Sequence, residues 1–212
     1  MLTPTGARGR VARLRRALDA RLQGAVIARP EHLLYFANLF PLPTSLNLGS
    51  SSYLLLRSDG TTTLFTDNWL GPSSEATADE IIVVEWYSMK EPARNRHHAV
   101  ASAVASQLRA EGLKVLGGET SYLPALVARA VDELVDIDGV VSSLREIKDP
   151  DELEAIRLAI RTAEAAHAAS REFLEPGIRE IDYYAALLER SVQCAERPFV
   201  MMCDLVSGDR AS

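Results

Sequence analysis

Apolar residues recur along this chain with two different periods, and the switches between them mark out its elements. Over residues 7–22, Val11, Leu14, Leu18 and Leu22 return at spacings of three and four. That pattern predicts an amphipathic helix, with Arg8, Arg10, Arg13, Arg15, Arg16 and Arg21 distributed around it. Ala25-Val26-Ile27-Ala28 is an unbroken apolar run and predicts a short buried strand. Residues 30–38 open on a proline and predict a helix. Residues 41–50 (PLPTSLNLGS) have the composition of a loop. Tyr53–Arg57 and Thr61–Thr66 are β-rich runs joined by Ser58-Asp59-Gly60, a hairpin pattern. Residues 80–85 (EIIVVE) predict another strand, 94–110 a helix with Val100, Val104 and Leu108 on one side, and 114–117 a strand. A helix over 121–131 and a short strand over 134–137 complete the series.

Helices alternating with strands, apart from one early hairpin, predict an α/β fold with a mixed sheet. The boundary is expected near Asp138-Gly139, giving domains 1–138 and 139–212. The second part opens on a readable helix start. Asp149 stands as N-cap, Pro150 at the first helical position and Glu152 at the third. Leu153, Ile156, Ile160, Ala163, His167, Ser170 and Leu174 then form one stripe, and Pro176-Gly177 stops the helix. A second helix carries Ile181, Tyr184, Leu187, Leu188 and Val192 on one side. Residues 199–206 (FVMMCDLV) are apolar on both faces and predict a strand inside a sheet.

Composition narrows the functional classes. The chain has 212 residues, 47% hydrophobic and 25% charged, as expected of a globular protein. A net charge of −6 gives no reason to expect nucleic acid as a partner, and the arginines of the first helix read as a solvated face. No apolar run approaches the roughly 18 residues of a membrane span, and the basic N-terminus lacks the apolar core of a secretory signal. Cytoplasmic location is the expectation. Cys194 and Cys203 have no metal-ligand spacing and suggest no disulfide framework.

Two motifs at fixed separation go further. Leu144-Arg145-Glu146-Ile147-Lys148-Asp149-Pro150, followed by Glu152 and Ile156 and then by Gly177-Ile178-Arg179-Glu180, resembles the start of the catalytic domain of the creatinase/Xaa-Pro peptidase family. That group of "pita-bread" metallohydrolases includes prolidase and aminopeptidase P. Arg179 departs from the family pattern, which places a Thr N-cap there; the substitution weakens that helix start by about 1 kcal/mol. Leu34-Tyr35-Phe36-Ala37-Asn38 is similar to a motif of the family's N-terminal domain, with Asn38 at a glycine position. The resemblance implies a ribonuclease-H-like α/β N-terminal domain, then the first helices and strand of an incomplete α+β pita-bread domain. It implies a homodimer, with no nucleic-acid or membrane partner. It also implies that Asp67, Asn68 and Trp69, in a turn after the second hairpin strand, help close the substrate pocket, with Trp69 and Trp86 as an apolar wall.

In the family two divalent metal ions, Mn, Co or Zn, are held by two Asp, one His and two Glu. Those ligands come after a Ser-Gly turn that Ser207-Gly208 resembles, so no metal ligand, cofactor or catalytic residue is assigned to this chain. The expected function is the N-terminal portion of an Xaa-Pro dipeptidase or aminopeptidase-like metallohydrolase. The alternatives are a non-catalytic binding module of the same fold, or part of a creatinase- or ectoine-hydrolase-like enzyme.

Other candidate chemistry is thin. His97 and His98 are adjacent, point about 100° apart on a helix, and read as an exposed helix start. His167 reads as a core or interface histidine, since Glu164 alone cannot complete a metal site with it. Gly117-Gly118 lacks the remainder of a dinucleotide or phosphate-loop fingerprint. The cysteines have no nearby histidine, and Ser207 is not in a G-x-S-x-G turn.

Overall fold

The first helix starts where the chain offers a hydroxyl. Thr3 accepts the Gly6 N–H at 3.0 Å, and Pro4 occupies the first turn. The computed structural model describes residues 2–40, 51–68, 76–196, 201, 203 and 205–211. Helix α1 (Pro4–Ala17) is shorter than the periodicity over 7–22 predicts. Leu18 is already extended, the Asp19 carboxylate accepts the Arg21 N–H in a turn, and Leu22 is buried on the approach to strand β1 (Gly24–Ile27). Helix α2 (Pro30–Ala37) ends at Asn38, which is left-handed at φ 49°. Asparagine tolerates that conformation better than other non-glycine residues, which explains its place at a glycine position.

The hairpin is formed as predicted, by β2 (Tyr53–Arg57) and β3 (Thr62–Asp67). Gly60 supplies the turn's positive φ of 99°. Strand β4 (Glu80–Val84) then pairs with β3 in parallel. Helix α3 (Arg96–Ala110) is capped by Asn95, whose side chain accepts the His98 N–H. Strands β5 (Val115–Gly118) and β6 (Glu133–Asp136) complete a six-stranded mixed sheet of order β4-β3-β2-β1-β5-β6. The pairs β1–β2 and β2–β3 are antiparallel; β3–β4, β1–β5 and β5–β6 are parallel.

Alternation along the strands divides the core in two. Ala25, Ile27, Leu54, Leu56 and Leu64 pack with Leu14 of α1 and with Leu33 and Phe36 of α2. Val26, Tyr53, Leu55, Phe65 and Leu116 pack with Val100, Val104 and Leu108 of α3. The sheet is therefore covered on both faces, so its central strands carry apolar residues on both sides.

Not every element forms as the pattern predicts. The helix predicted over 121–131 shrinks to α4 (Ala125–Ala128). Pro124 disfavours helical backbone at Leu123 and has no N–H to continue a helix through itself. The stretch after β6 forms helix α5 (Asp138–Leu144), and its Val141 is fully buried with Leu14 and Phe36. By backbone contacts the sheet unit ends at Asp149 and a second unit begins at Pro150, whereas the sequence boundary lies near Asp138-Gly139.

The second unit contains α6 (Pro150–Phe173) and α7 (Glu180–Ala195), joined through Gly177 at φ 92°. The stripe of α6 is not what the two helices pack along. Its buried residues are Thr162 and Ala169, facing a seam with Leu187, Ser191 and Ala195 of α7, whereas Leu153, Ile156, Ile160 and Leu174 are exposed. His167 is exposed with them instead of lying in a core. Small side chains let the helix axes approach closely, and Thr162 and Ser191 satisfy their hydroxyls on their own helices through Leu158 O and Leu187 O. Part of the stretch 199–206 lies outside the described residues; Met201, Cys203, Leu205 and Val206 are not in a strand.

Candidate functional site

The end of β3 gathers polar groups onto an apolar sheet. Asp67 closes the strand and is fully buried; its carboxylate accepts the Ser51 N–H at 3.2 Å and lies 3.6 Å from Nε of Arg96, on the first turn of α3. The Arg96 guanidinium in turn lies 5.8 Å from the ring centroid of Trp86. Such a pair adds electrostatic attraction to the packing. Asn68 extends the β3–β4 pairing with its side chain: its amide NH₂ donates to Tyr87 O at 2.9 Å and its amide oxygen accepts the Trp86 N–H at 3.1 Å. Trp86 and Tyr87 are thus held side by side, with ring centroids 4.8 Å apart. Ser51 Oγ and His97 Nδ1 are 2.5 Å apart on the other flank.

Of the residues singled out from the sequence, the structure brings Asp67 and Asn68 together with Trp86, while Trp69 lies outside the described residues. Asp67 faces inward and Asn68 braces backbone, so both set the position of the Trp86-Tyr87 segment. Sequence reasoning missed Arg96 and Ser51; His97 is exposed at the start of α3, as expected, and in addition meets Ser51 Oγ. Neither Arg96 nor Ser51 carries a spacing pattern that would connect it to Asp67.

A second polar cluster lies beneath the motif 144–149. Glu119, just after β5, is fully buried. One of its oxygens accepts the N–H groups of Ala28 at 2.6 Å and Arg29 at 2.8 Å, and the other faces Nδ1 of buried His32. Burial pushes the Glu119 carboxyl up, but the hydrogen bonds from His32, Ala28 and Arg29 outweigh it and hold the group below its ordinary range. Arg145 Nη1 lies 2.7 Å from His32 Nε2. Tyr35 OH donates to Leu144 O at 3.1 Å. Asp149 is paired with Arg10 at 3.3 Å and Arg13 at 2.6 Å. Arg10 is fully buried, donates to Tyr35 O at 2.6 Å and stacks 4.8 Å from the Tyr35 ring. The arginine face of α1 is therefore partly interior, because a carboxylate, a carbonyl and an aromatic ring compensate Arg10 for lost water.

In the second unit, Glu180 ties the start of α7 to the Ser207-Gly208 turn. Its carboxylate accepts from Ser207 N–H at 2.6 Å and Ser207 Oγ at 2.7 Å, and pairs with Arg210. These bonds hold the Glu180 carboxyl below its ordinary range, the Ser207 hydroxyl foremost. Arg179 makes no side-chain cap, as its identity predicts; its guanidinium binds Asp182 instead.

A mixed sheet covered on both faces, followed by a helix hairpin closed onto a Ser-Gly turn, is the architecture of a creatinase-type N-terminal domain joined to the beginning of a pita-bread domain. Residues 10–147 match the family model of the creatinase/prolidase N-terminal domain, and the chain belongs to that family. Among solved structures, it is similar to the Xaa-Pro dipeptidase from Bacillus anthracis, with a TM-score of 0.65 and 24% identity, covering 88% of this chain and 49% of that one. The prolidase from Pyrococcus furiosus gives a TM-score of 0.64 at 22% identity, covering 87% of this chain and 52% of that one. Aminopeptidase P from E. coli gives 0.62 at 17% identity, covering 91% and 50%. The chain thus spans about half the length of the structures it resembles. No curated protein sequence matches it.

The two metal ions of the family do not fit the carboxylates described above. Asp67 is met by Ser51 N–H and Arg96, Glu119 by two backbone N–H groups and His32, and Asp149 by Arg10 and Arg13. Asp67 and Glu119 are enclosed by hydrogen-bond donors, and Asp149 is already paired with two arginines. Among the described residues no helix is long and apolar enough to cross a membrane.

Proposed function

We propose that this chain is the N-terminal portion of an Xaa-Pro dipeptidase- or aminopeptidase-like metallohydrolase that works in the cytoplasm, and that it contributes dimerisation and closure of the substrate pocket. The supporting observation is the likeness to Xaa-Pro dipeptidases and prolidases over about half their length, anchored on the family match at 10–147. In this reading two divalent ions, Mn, Co or Zn, belong to the full catalytic domain. The Asn68-braced Trp86-Tyr87 segment supplies a rigid apolar wall against substrate, and Trp69, which follows Asn68 in the sequence, belongs to the same proposed pocket. Rigidity matters there because a preorganised wall loses little side-chain entropy on binding.

The chain by itself should hydrolyse no Xaa-Pro dipeptide in the presence of added Mn²⁺. Purified without chelator, it should carry no stoichiometric metal. Turnover, or one or two tightly bound ions per chain by elemental analysis, would overturn the reading. Light scattering tests the homodimer: the expected mass is twice the 23.2 kDa of the chain, and a strictly monomeric mass at about 100 μM, far above a micromolar Kd, refutes it.

A further inference from the structure

The segment 144–149 carries the wording that is similar to the family, and three separate contacts fasten it to the sheet unit. Tyr35 OH holds Leu144 O, His32 Nε2 holds Arg145, and Arg10 with Arg13 hold Asp149. We propose that this segment is an acid-sensitive strap: protonation of His32 displaces Arg145 and frees the middle of the strap while both its ends stay fastened.

Geometry determines the resting state. A guanidinium can only donate, so Nε2 of His32 must present its lone pair to Arg145 across 2.7 Å. The ring proton is therefore on Nδ1, where it points at the Glu119 carboxylate. The second oxygen of that carboxylate is held by Ala28 and Arg29 N–H groups, so Glu119 cannot turn away. His32 is consequently a neutral imidazole in one tautomer, bonded at both nitrogens and almost wholly buried.

A second proton can enter the ring only at Nε2. Two N–H donors, each on a positive group, would then face one another across the same gap. The Arg145 contact changes from attraction to repulsion, in surroundings that screen charge poorly. Other groups fix which way the system yields. Glu119 stabilises the imidazolium from the β5 side. Arg10, from α1, lies against the opposite side of the local network through the Tyr35 ring, and that ring is also 5.9 Å from the Arg145 guanidinium. Arg29, at the start of α2, is turned toward Ser121 and Glu31. His32 and Arg10 are enclosed by the core, whereas Arg145 stands on a short connection outside regular structure, so Arg145 moves. The two ends are fastened by contacts in which His32 takes no part, Tyr35 on Leu144 O and Arg10 with Arg13 on Asp149, so they hold.

The test is nitrogen-15 NMR of His32 together with hydrogen exchange of the full chain, from pH 8 to pH 5.5, corrected for intrinsic exchange. At pH 8 the spectrum should show the Nδ1–H tautomer. As the imidazolium forms, protection of amides 145 and 146, which donate to Ser142 O and Ser143 O, should fall about tenfold or more, as expected for loss of a charge-assisted hydrogen bond. Amides of β1 and β2 should keep theirs. Arg145→Gln and His32→Asn should both abolish the pH step. The proposal is overturned by an imidazolium that forms without the loss of protection. It is equally overturned by a ring that stays neutral to pH 5.5, by a step that persists in His32→Asn, or by equal loss across the sheet. The wild-type titration decides the matter even where a variant does not fold.

Discussion

In the sheet unit Leu54, Leu55, Leu56 and Leu64 are completely enclosed, while in the helix hairpin Ile160 is 52% and Leu174 65% exposed. Both regions have strongly patterned sequences, so pattern strength does not separate them. The partner that each pattern meets does. The central strands of the sheet have helices over both faces, drawn from α1 to α5. The hairpin has only two helices, and they meet along their small residues, Thr162, Ala169, Ser191 and Ala195. Its large residues form a surface that this pairing leaves uncovered. An amphipathic stripe thus announces that a face wants burial, and the rest of the fold decides whether that burial is supplied within the unit.

Disturbing the sheet unit should produce the largest effects. Glu119→Ala leaves the N–H groups of Ala28 and Arg29 and the His32–Arg145 pair without their buried anion. It should destabilise by about 3–5 kcal/mol in chemical denaturation. Its pH dependence has a definite sign. The Glu119 carboxyl is held below its ordinary value in the folded chain. Its contribution is therefore full above the unfolded-state value of about 4.3, and is lost as pH falls through the lower folded value. The gap between wild type and Glu119→Gln should accordingly be constant at neutral pH and narrow below about pH 4.3. A gap that widens below about pH 4.3 would contradict the assignment.

Leu54→Ala removes a fully buried side chain from β2 and should cost about 2–5 kcal/mol, read from the same denaturation curves. Gly24→Ala tests close approach in the sheet. A Cβ there would lie 2.2 Å from the Leu56 backbone oxygen, so the β1–β2 pair must shift. A loss of about 1–3 kcal/mol is expected, and no loss would mean that the two strands approach less closely than described.

The same contrast explains how much of the molecule could be read in advance. Strands β1 to β6 and helices α1, α2 and α3 follow directly from periodicity, because each has local partners that honour its pattern; α6 and α7 follow from periodicity and from the Pro-Gly break between them. Helix α4 falls short because Pro124 interrupts an otherwise helical composition. The seam between α6 and α7 has no clear signal in the sequence, because Leu153, Ile156 and Ile160 outweigh Thr162 and Ala169 in any count of hydrophobicity, although close packing favours the small residues. The polar clusters were the least readable. Asp67 and Arg96, or His32, Glu119 and Arg145, are joined by strand order, and strand order leaves no spacing in the chain. Asp149 was read as a helix cap from its neighbours; its pairing with Arg10 and Arg13 depends on α1, which lies far away in sequence.

The smallest effect on folding should accompany the largest effect on association, and it falls on the exposed stripe. Leu153, Ile156 and Ile160 are 40%, 40% and 52% exposed, and they lie on one side of α6. Substituting Ile156 and Ile160 by serine removes little buried area, so stability should change by no more than about 0.5 kcal/mol for each. The same change converts a contiguous apolar surface, of a kind uncommon on monomers, into a polar one. If the stripe lies in the interface of the proposed homodimer, the double variant should shift light-scattering mass toward the monomer while its melt remains that of the wild type. A dimer that persists in the double variant and in a chain ending at Asp149 would place the interface on the sheet unit. Strand β4, at the end of the strand order and with Ile81 and Val83 exposed, would then be the surface to alter next. A large loss of stability in the double variant would show instead that the stripe is covered within the chain, and the contrast between the two units would fail.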